Sequence, residues 1–249
     1  MDFTENVLVL SVAGFREADL WVRLLSPTRG ILTAFAFGGS RSRRRFPGCL
    51  DAFNQVLFRI KSTPGRDFLN LQEGTLVKGT KTLRRDRKRL GMARNCAAFL
   101  LAFGVEKEGA SKAHHLFSSL LALLEDEAEI TPLLPIIFRA RLVFDQGYSL
   151  DFTACSTCFR PFAPDSAFLL VDQGQLICRH CSTGIRALNK CLLNPKALDL
   201  FNAIKIQCPT EWRSLPICHE SAKQLTYALD GFIRYHIGLA WENNRFKKV

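Results

Sequence analysis

The stretch LWVRLLSPTRGILTAFAF, Leu20–Phe37, reads as two β-strands folded back on a tight turn. Leu20, Val22 and Leu24 alternate with Trp21, Arg23 and Leu25, and Ile31, Thr33, Phe35 and Phe37 alternate with Leu32, Ala34 and Ala36. A period of two is the mark of a strand whose two faces meet different surroundings. Between them, Ser26-Pro27-Thr28-Arg29-Gly30 places Pro and Gly where the chain must reverse. An apolar run Val7–Val12 precedes Gly14, and Gly38-Gly39 follows the second strand. Val56, Phe58 and Ile60 repeat the period, and Phe68–Leu71 makes a fifth run after the turn Thr63-Pro64-Gly65-Arg66-Asp67. Five short strands so spaced predict a small barrel over residues 1–81. The OB-fold is the five-stranded barrel that commonly holds oligonucleotides, and an SH3-like barrel gives a similar pattern.

From about residue 82 the period becomes helical. Leu83, Leu90, Ala97, Leu101 and Gly104 share a face of one helix whose first two turns are basic. Ser111 is the expected N-cap of a second helix carrying Leu116, Leu120, Leu123 and Leu124. Ile136, Ile137, Ala140, Val143 and Phe144 form a third stripe after Pro132 and Pro135. Asn194-Pro195 reads as cap and first position of a fourth helix with Leu198, Phe201 and Ile204. Leu225, Leu229, Phe232, Ile233 and His236 mark a last long one.

Residues 152–184 form an insert rich in Cys, Pro and Gly. It holds Cys155-Ser156-Thr157-Cys158 and, nineteen residues on, Cys178-Arg179-His180-Cys181. Two turns each offering two thiolates can close the tetrahedral four-sulfur shell that Zn²⁺ prefers, at zinc-ribbon spacing. Four protein ligands leave no open position, so one structural zinc ion on Cys155, Cys158, Cys178 and Cys181 is expected. Gly174, Gly184 and Pro161 supply turns around the knuckles, and His180 reads as a solvated neighbour. A dithiol redox pair or two disulfides is the competing reading. The expected architecture is thus α+β and multi-domain: an OB-fold barrel over 1–81, a helical domain over 82–249, and the four-cysteine ribbon inserted at 152–184.

The charge is uneven. The 249 residues hold 34 Lys and Arg against 23 Asp and Glu, a net +11. Residues 1–90 carry 17 basic and 8 acidic side chains, residues 91–249 carry 17 and 15, so the excess sits in the first third. A concentrated positive field calls for a polyanion, nucleic acid before anionic membrane. Arg41, Arg43, Arg44 and Arg45 fall in the Gly-Gly-Ser loop between two strands, and Arg84, Arg85, Arg87, Lys88 and Arg89 fall where barrel hands over to helix. Guanidinium groups on such a loop can follow a phosphate backbone without reading bases. A solubilising surface is the plainer alternative. Trp21 and Phe37 are stacking candidates, with core packing the assignment taken for both.

Other features are excluded. Gly74–Thr82 resembles a phosphate-binding P-loop, but Thr80 stands between the second Gly and the Lys, and the segment follows antiparallel-type strands. His114-His115 is read as an exposed helix start, Glu125–Glu129 as a solvated or protein-docking acidic run, and His219 and His236 as structural. Nothing resembles a nucleophile elbow or dinucleotide fingerprint, so no enzyme is expected. The most apolar stretch, Cys96–Val105, is far short of the about 20 residues a spanning helix needs. The acidic start Met1-Asp2-Phe3-Thr4-Glu5 is unlike an export signal. With Cys49, Cys96, Cys191, Cys208 and Cys218 scattered as reduced small hydrophobes, a cytoplasmic location is expected.

Three stretches in order resemble the bacterial recombination mediator family RecO. Glu17-Ala18-Asp19-Leu20 with Leu24-Leu25-Ser26-Pro27 and Gly30 resembles its first barrel hairpin; Ala36–Gly48, ending in Phe46-Pro47-Gly48, its basic loop; and Asp145–Leu150 before Cys155 and Cys158, its approach to the zinc knuckle. The resemblance implies an OB-fold, a helical domain and, in many members, a four-cysteine zinc module. It implies binding and annealing of single- and double-stranded DNA with a RecR-type partner, and loading of RecA onto strands coated by single-strand-binding protein, in the cytoplasm at the nucleoid. An OB-fold and zinc-ribbon RNA-binding factor, and a zinc-ribbon adaptor that binds only proteins, remain as alternatives.

Overall fold

The computed structural model describes residues 2–62, 68–126, 128–185 and 189–249. The turn expected at Thr63–Asp67 lies outside the described residues. By its contacts the chain forms two units, Met1–Ala128 and Glu129–Val249.

In the first unit, β1 (Asp2–Gly14) is longer than its apolar centre, because the polar Thr4, Glu5 and Asn6 pair with Arg59, Phe58 and Leu57 of β4 (Gln55–Ser62). A bulge between Val9 and Ser11 bends β1 so that it serves two neighbours. β2 (Leu20–Ser26) and β3 (Gly30–Ala36) pair antiparallel from Leu20↔Ala36 to Ser26↔Gly30, as the sequence predicts. β5 (Leu69–Lys78) runs antiparallel to β4 and parallel to β3 at Ala34↔Leu69 and Phe35↔Asn70. The order β1-β2-β3-β5-β4 closes into a barrel, and its one parallel pair, β3 on β5, gives it the OB arrangement. The P-loop look-alike is strand as far as Lys78.

The barrel interior is filled by Val7, Val9, Val22, Leu24, Ala34, Ala36, Val56, Phe58, Ile60 and Leu71, with Phe46 and Cys49 of the β3–β4 connection. This corrects the assignment of Trp21 and Phe37 to the core: each is 41% exposed. A five-stranded barrel is narrow. With Phe58 and Ile60 occupying it, β3 contributes Ala34 and Ala36 to the centre and Leu32 to its margin, and the large rings go outside.

The single helix expected from residue 82 is broken into α1 (Thr82–Arg85) and α2 (Arg87–Phe103). Asp86 between them is extended, at φ −104° and ψ 111°, and its Oδ1 accepts from the N–H groups of Lys88 (2.8 Å) and Arg89 (3.2 Å). It is an N-cap. Donation from Arg89 holds its carboxyl below the usual range. α3 (Ala110–Glu125) begins just before the expected cap Ser111, with Gly109 at the cap.

Glu125 is not part of a solvated acidic run. Its Oε1 accepts from Leu83 N (2.9 Å) and its Oε2 from Lys81 N (3.1 Å) and Thr82 N (3.2 Å), so the end of α3 caps the start of α1. Glu125→Ala strands three amide donors and is expected to cost about 1–2 kcal/mol of unfolding free energy. Glu125→Gln, which keeps an acceptor oxygen, should lose less in the same urea titration. Glu127 lies outside the described residues.

In the second unit, α4 (Leu134–Asp145) leads to β6 (Ala167–Leu170) and β7 (Gln175–Cys178), and β8 (Lys190–Leu193) adds to β6 for a sheet of order β7-β6-β8. α5 (Pro195–Ile206) starts as predicted, with the Asn194 side chain accepting from Ala197 N at 2.8 Å. α6 (His219–His236) follows, then a hairpin of β9 (Leu239–Glu242) and β10 (Arg245–Lys248). The cysteine-bearing sheet is packed into this unit: the Phe152 ring stacks on Phe201 at 4.8 Å and 2°. Among the described residues no helix is long and apolar enough to cross a membrane.

Candidate nucleic-acid interface and metal centre

The outer face of β2 and β3 carries a row of rings. Trp21 and Phe35 are cross-strand partners with centroids 5.8 Å apart and planes 26° apart, and Phe35 stands 6.0 Å from Phe37 at 14°. Phe15, in the β1–β2 turn region, and Phe68, just before β5, each meet Phe35 edge-on at 4.9 Å. Alternation along β3 places Phe35 and Phe37 on one side, with Ala34 and Ala36 opposite them.

The arginine-rich loop begins where this row ends. Gly38 N donates to Asp19 Oδ1 (2.7 Å), and Ser40 to Ala18 O, which fasten the loop to the β1–β2 turn. A short 3₁₀ turn holds Gly39–Arg41. Arg45 is partly committed, donating to Phe37 O at 2.5 Å with its guanidinium 5.0 Å from the Phe46 ring. Arg41 lies 3.9 Å from the exposed Glu17. Arg43 and Arg44 are exposed, with no ion-pair partner among the described residues.

The second basic run splits in two. Arg85, Arg87 and Lys88 are exposed. Arg84 is fastened to Asp51 (3.2 Å), Asn54 Oδ1 (2.9 Å) and Ala52 O (3.2 Å). Arg89 donates to the carbonyls of Leu124 (3.0 Å), Asp126 and Ala128 (2.8 Å) and pairs with Asp86. Arg84 and Arg89 thus tie the helices to the barrel connection and close the end of α3. Asn54 also donates to Gly48 O (2.7 Å), so Arg84 and the β3–β4 connection are joined through one amide.

The ligand atoms of Cys155, Cys158, Cys178 and Cys181 all lie within 4.8 Å of one another. The Cys158 and Cys178 sulfurs are 3.8 Å apart. A tetrahedron of sulfurs at about 2.3 Å from a central ion has edges of about 3.8 Å, so the four thiols fit a metal ion. Their loops are shaped for it. Phe159 N donates to Cys155 O (2.9 Å), Cys155 N to Arg160 O (3.0 Å), and Ser182 N to Cys178 O (3.0 Å). Burial pushes the Cys155 thiol up, but the backbone N–H groups of Cys158, Cys178 and Thr157 outweigh it and hold it down to about 6. Cys181 is pushed up to about 12, by burial and by the sulfurs of Cys158, Cys178 and Cys155. Four thiols crowded this closely cannot all ionise without a cation among them.

The remaining expectations divide. His180 is exposed, in line with a solvated neighbour of the knuckle. His236 Nε2 lies 2.6 Å from Val171 O, a structural contact. His114 is half-buried, not exposed, and burial holds its imidazole pKa down; His115 is exposed. Cys49, Cys96 and Cys191 are buried, whereas Cys208 is exposed and Cys218 caps α6, its sulfur 3.5 Å from Ser221 N.

Residues 1–80 match the family model described as recombination protein O N terminal, and residues 84–245 match recombination protein O C terminal. Over the whole of both chains, the sequence is 46% identical to DNA repair protein RecO of Nitratidesulfovibrio vulgaris strain Hildenborough and 44% identical to that of Oleidesulfovibrio alaskensis. It is 38% identical to the RecO of Maridesulfovibrio salexigens, again over the full length of both. With both halves matched and full-length relatives above 40% identity, the chain belongs to the RecO family of DNA repair proteins.

Proposed function

We propose that this protein is a non-catalytic recombination mediator that binds and anneals single-stranded DNA, binds duplex DNA as well, and works in the cytoplasm at the nucleoid. With a RecR-type partner it helps load RecA onto strands coated by single-strand-binding protein. The observation that carries the reading is the closed barrel whose β3 runs straight into an exposed loop bearing Arg43 and Arg44. Family membership supports the repair context. The phosphate-binding role is assigned to Arg41, Arg43, Arg44, Arg45, Arg85, Arg87 and Lys88; Arg84 and Arg89 act by holding the run in place. The barrel within residues 1–81 serves DNA. Beyond Arg85, Arg87 and Lys88, residues 82–249 serve partners, with one structural zinc on the four cysteines of the 152–184 insert. Neutralising phosphates lowers the repulsion that keeps two strands apart, which favours annealing.

The test replaces Arg43 and Arg44 with Ala, leaving the partly committed Arg45 in place. Each lost phosphate contact lowers the slope of log affinity against log salt by about 0.7 on a single strand, so the pair should flatten it by about 1.4. Affinity should fall similarly for all sequences. Unchanged affinity and slope remove the loop from the mechanism. Annealing of complementary strands coated by the cognate single-strand-binding protein tests the mediator role itself, and an inert protein in that assay overturns it.

A further inference from the structure

We infer that the ring row Phe15–Trp21–Phe35–Phe37–Phe68 is a base-stacking platform, which makes the barrel a reader of unpaired bases as well as of phosphates. The inference rests on the proposed DNA-binding role and adds to it the surface of the barrel that meets unpaired bases. Three observations carry it. The rings lie outside the barrel, where Phe15, Trp21 and Phe37 remain 44%, 41% and 41% exposed, although burial of such area would stabilise the fold. Trp21, Phe35 and Phe37 are close to parallel, at 26° and 14°, and so offer successive faces in one orientation. The row is also flanked by cations: Arg16 sits 5.3 Å over the Phe15 ring, and Arg45 bonds the carbonyl of Phe37 itself, with Arg43 and Arg44 next along the chain.

An apolar protein surface would satisfy the exposure alone. The flanking charge decides for a polyanion that also carries flat apolar faces, which is single-stranded DNA. Duplex DNA hides its base faces, so it can use the arginines and not the rings. A strand held by base faces on one side keeps its pairing edges available, which suits a protein that anneals.

The test uses the full chain and three fluorescently labelled probes of equal length: oligo-dT, the same backbone without bases, and a duplex. At matched salt, wild type should bind oligo-dT about tenfold tighter than the abasic strand. Trp21→Ala with Phe37→Ala should abolish that preference while leaving abasic affinity and the salt slope unchanged. Trp21→Phe, which keeps a ring, should retain the preference and, read in a Trp241→Phe background because Trp241 is also exposed, lose the quenching of tryptophan emission by oligo-dT; Trp212 is buried and serves as internal reference. Circular dichroism of each variant checks the fold. Equal binding of oligo-dT and abasic strand by wild type, or equal loss of both in the double variant, overturns the platform and leaves the phosphate reading standing. No binding of any probe at low salt overturns the DNA-binding role on which it rests.

Discussion

Chelating the metal from the zinc-loaded protein at neutral pH is expected to lower the melting temperature of the Glu129–Val249 unit by roughly 15 °C. A ligand bound to the folded state alone, at a thousand times its dissociation constant, stabilises by about 4 kcal/mol. In a unit of this size each kcal/mol is worth a few degrees. The loss should be graded across the unit. Phe162, Leu169, Leu170, Leu176 and Ile177 are buried by protein contacts and Phe152 stacks on Phe201, so this part should persist. The knuckles at Cys155–Arg160 and Cys178–Ser182 are held by backbone bonds and a few side-chain ones, such as Ser182 Oγ to Arg179 O, and a bound ion would be their main further tie, so their amides should lose hydrogen-exchange protection first. Cys155→Ser should reproduce the effect, and Cys208→Ser, at an exposed thiol, should not. Metal analysis should return about one zinc per chain. An unchanged melting temperature after chelation, or cysteines that cycle reversibly between dithiol and disulfide with no metal released, would instead favour redox chemistry at the cluster.

What the sequence reveals follows from how local each signal is. The cysteine quartet is legible because ligand chemistry fixes residue type and short spacing together, and Asn194-Pro195 because a cap is bonded three residues away. The β2–β3 hairpin is legible from alternation, but alternation does not say which face is inside. Size is the misleading cue for Trp21 and Phe37, since the narrow barrel takes the alanines. β1 reads short because Thr4, Glu5 and Asn6 are polar, although they pair with β4 through the backbone. The C-terminal hairpin escapes the periodicity, yet Asn243-Asn244, at φ 50° and 59°, carries a turn signal that asparagine tolerates well. The role of Glu125 has no such local trace. Its partners are 42 to 44 residues back in the chain, and only the fold brings them together.

Gly30→Ala is expected to destabilise the Met1–Ala128 unit by roughly 3–4 kcal/mol, far more than a turn substitution ordinarily costs. Gly30 stands at φ +76°, where an alanine is strained by about 1 kcal/mol. The neighbourhood adds the rest. A Cβ there would lie 2.2 Å from Val105 O and within 3.0 Å of the Glu106 carbonyl, all of it backbone that cannot swing aside. Relief requires moving the residues after α2 away from the β2–β3 turn, and that movement breaks the 3.0 Å bond from Ile31 N to Val105 O, worth about another 1 kcal/mol. Gly104 supplies the control. It has nearly the same φ, +77°, but nothing within 4 Å of the methyl that alanine would add, so Gly104→Ala should show the dihedral cost alone. In paired urea titrations the two variants should therefore differ by roughly 2–3 kcal/mol. Equal losses would mean that the β2–β3 turn is not braced against the segment following α2.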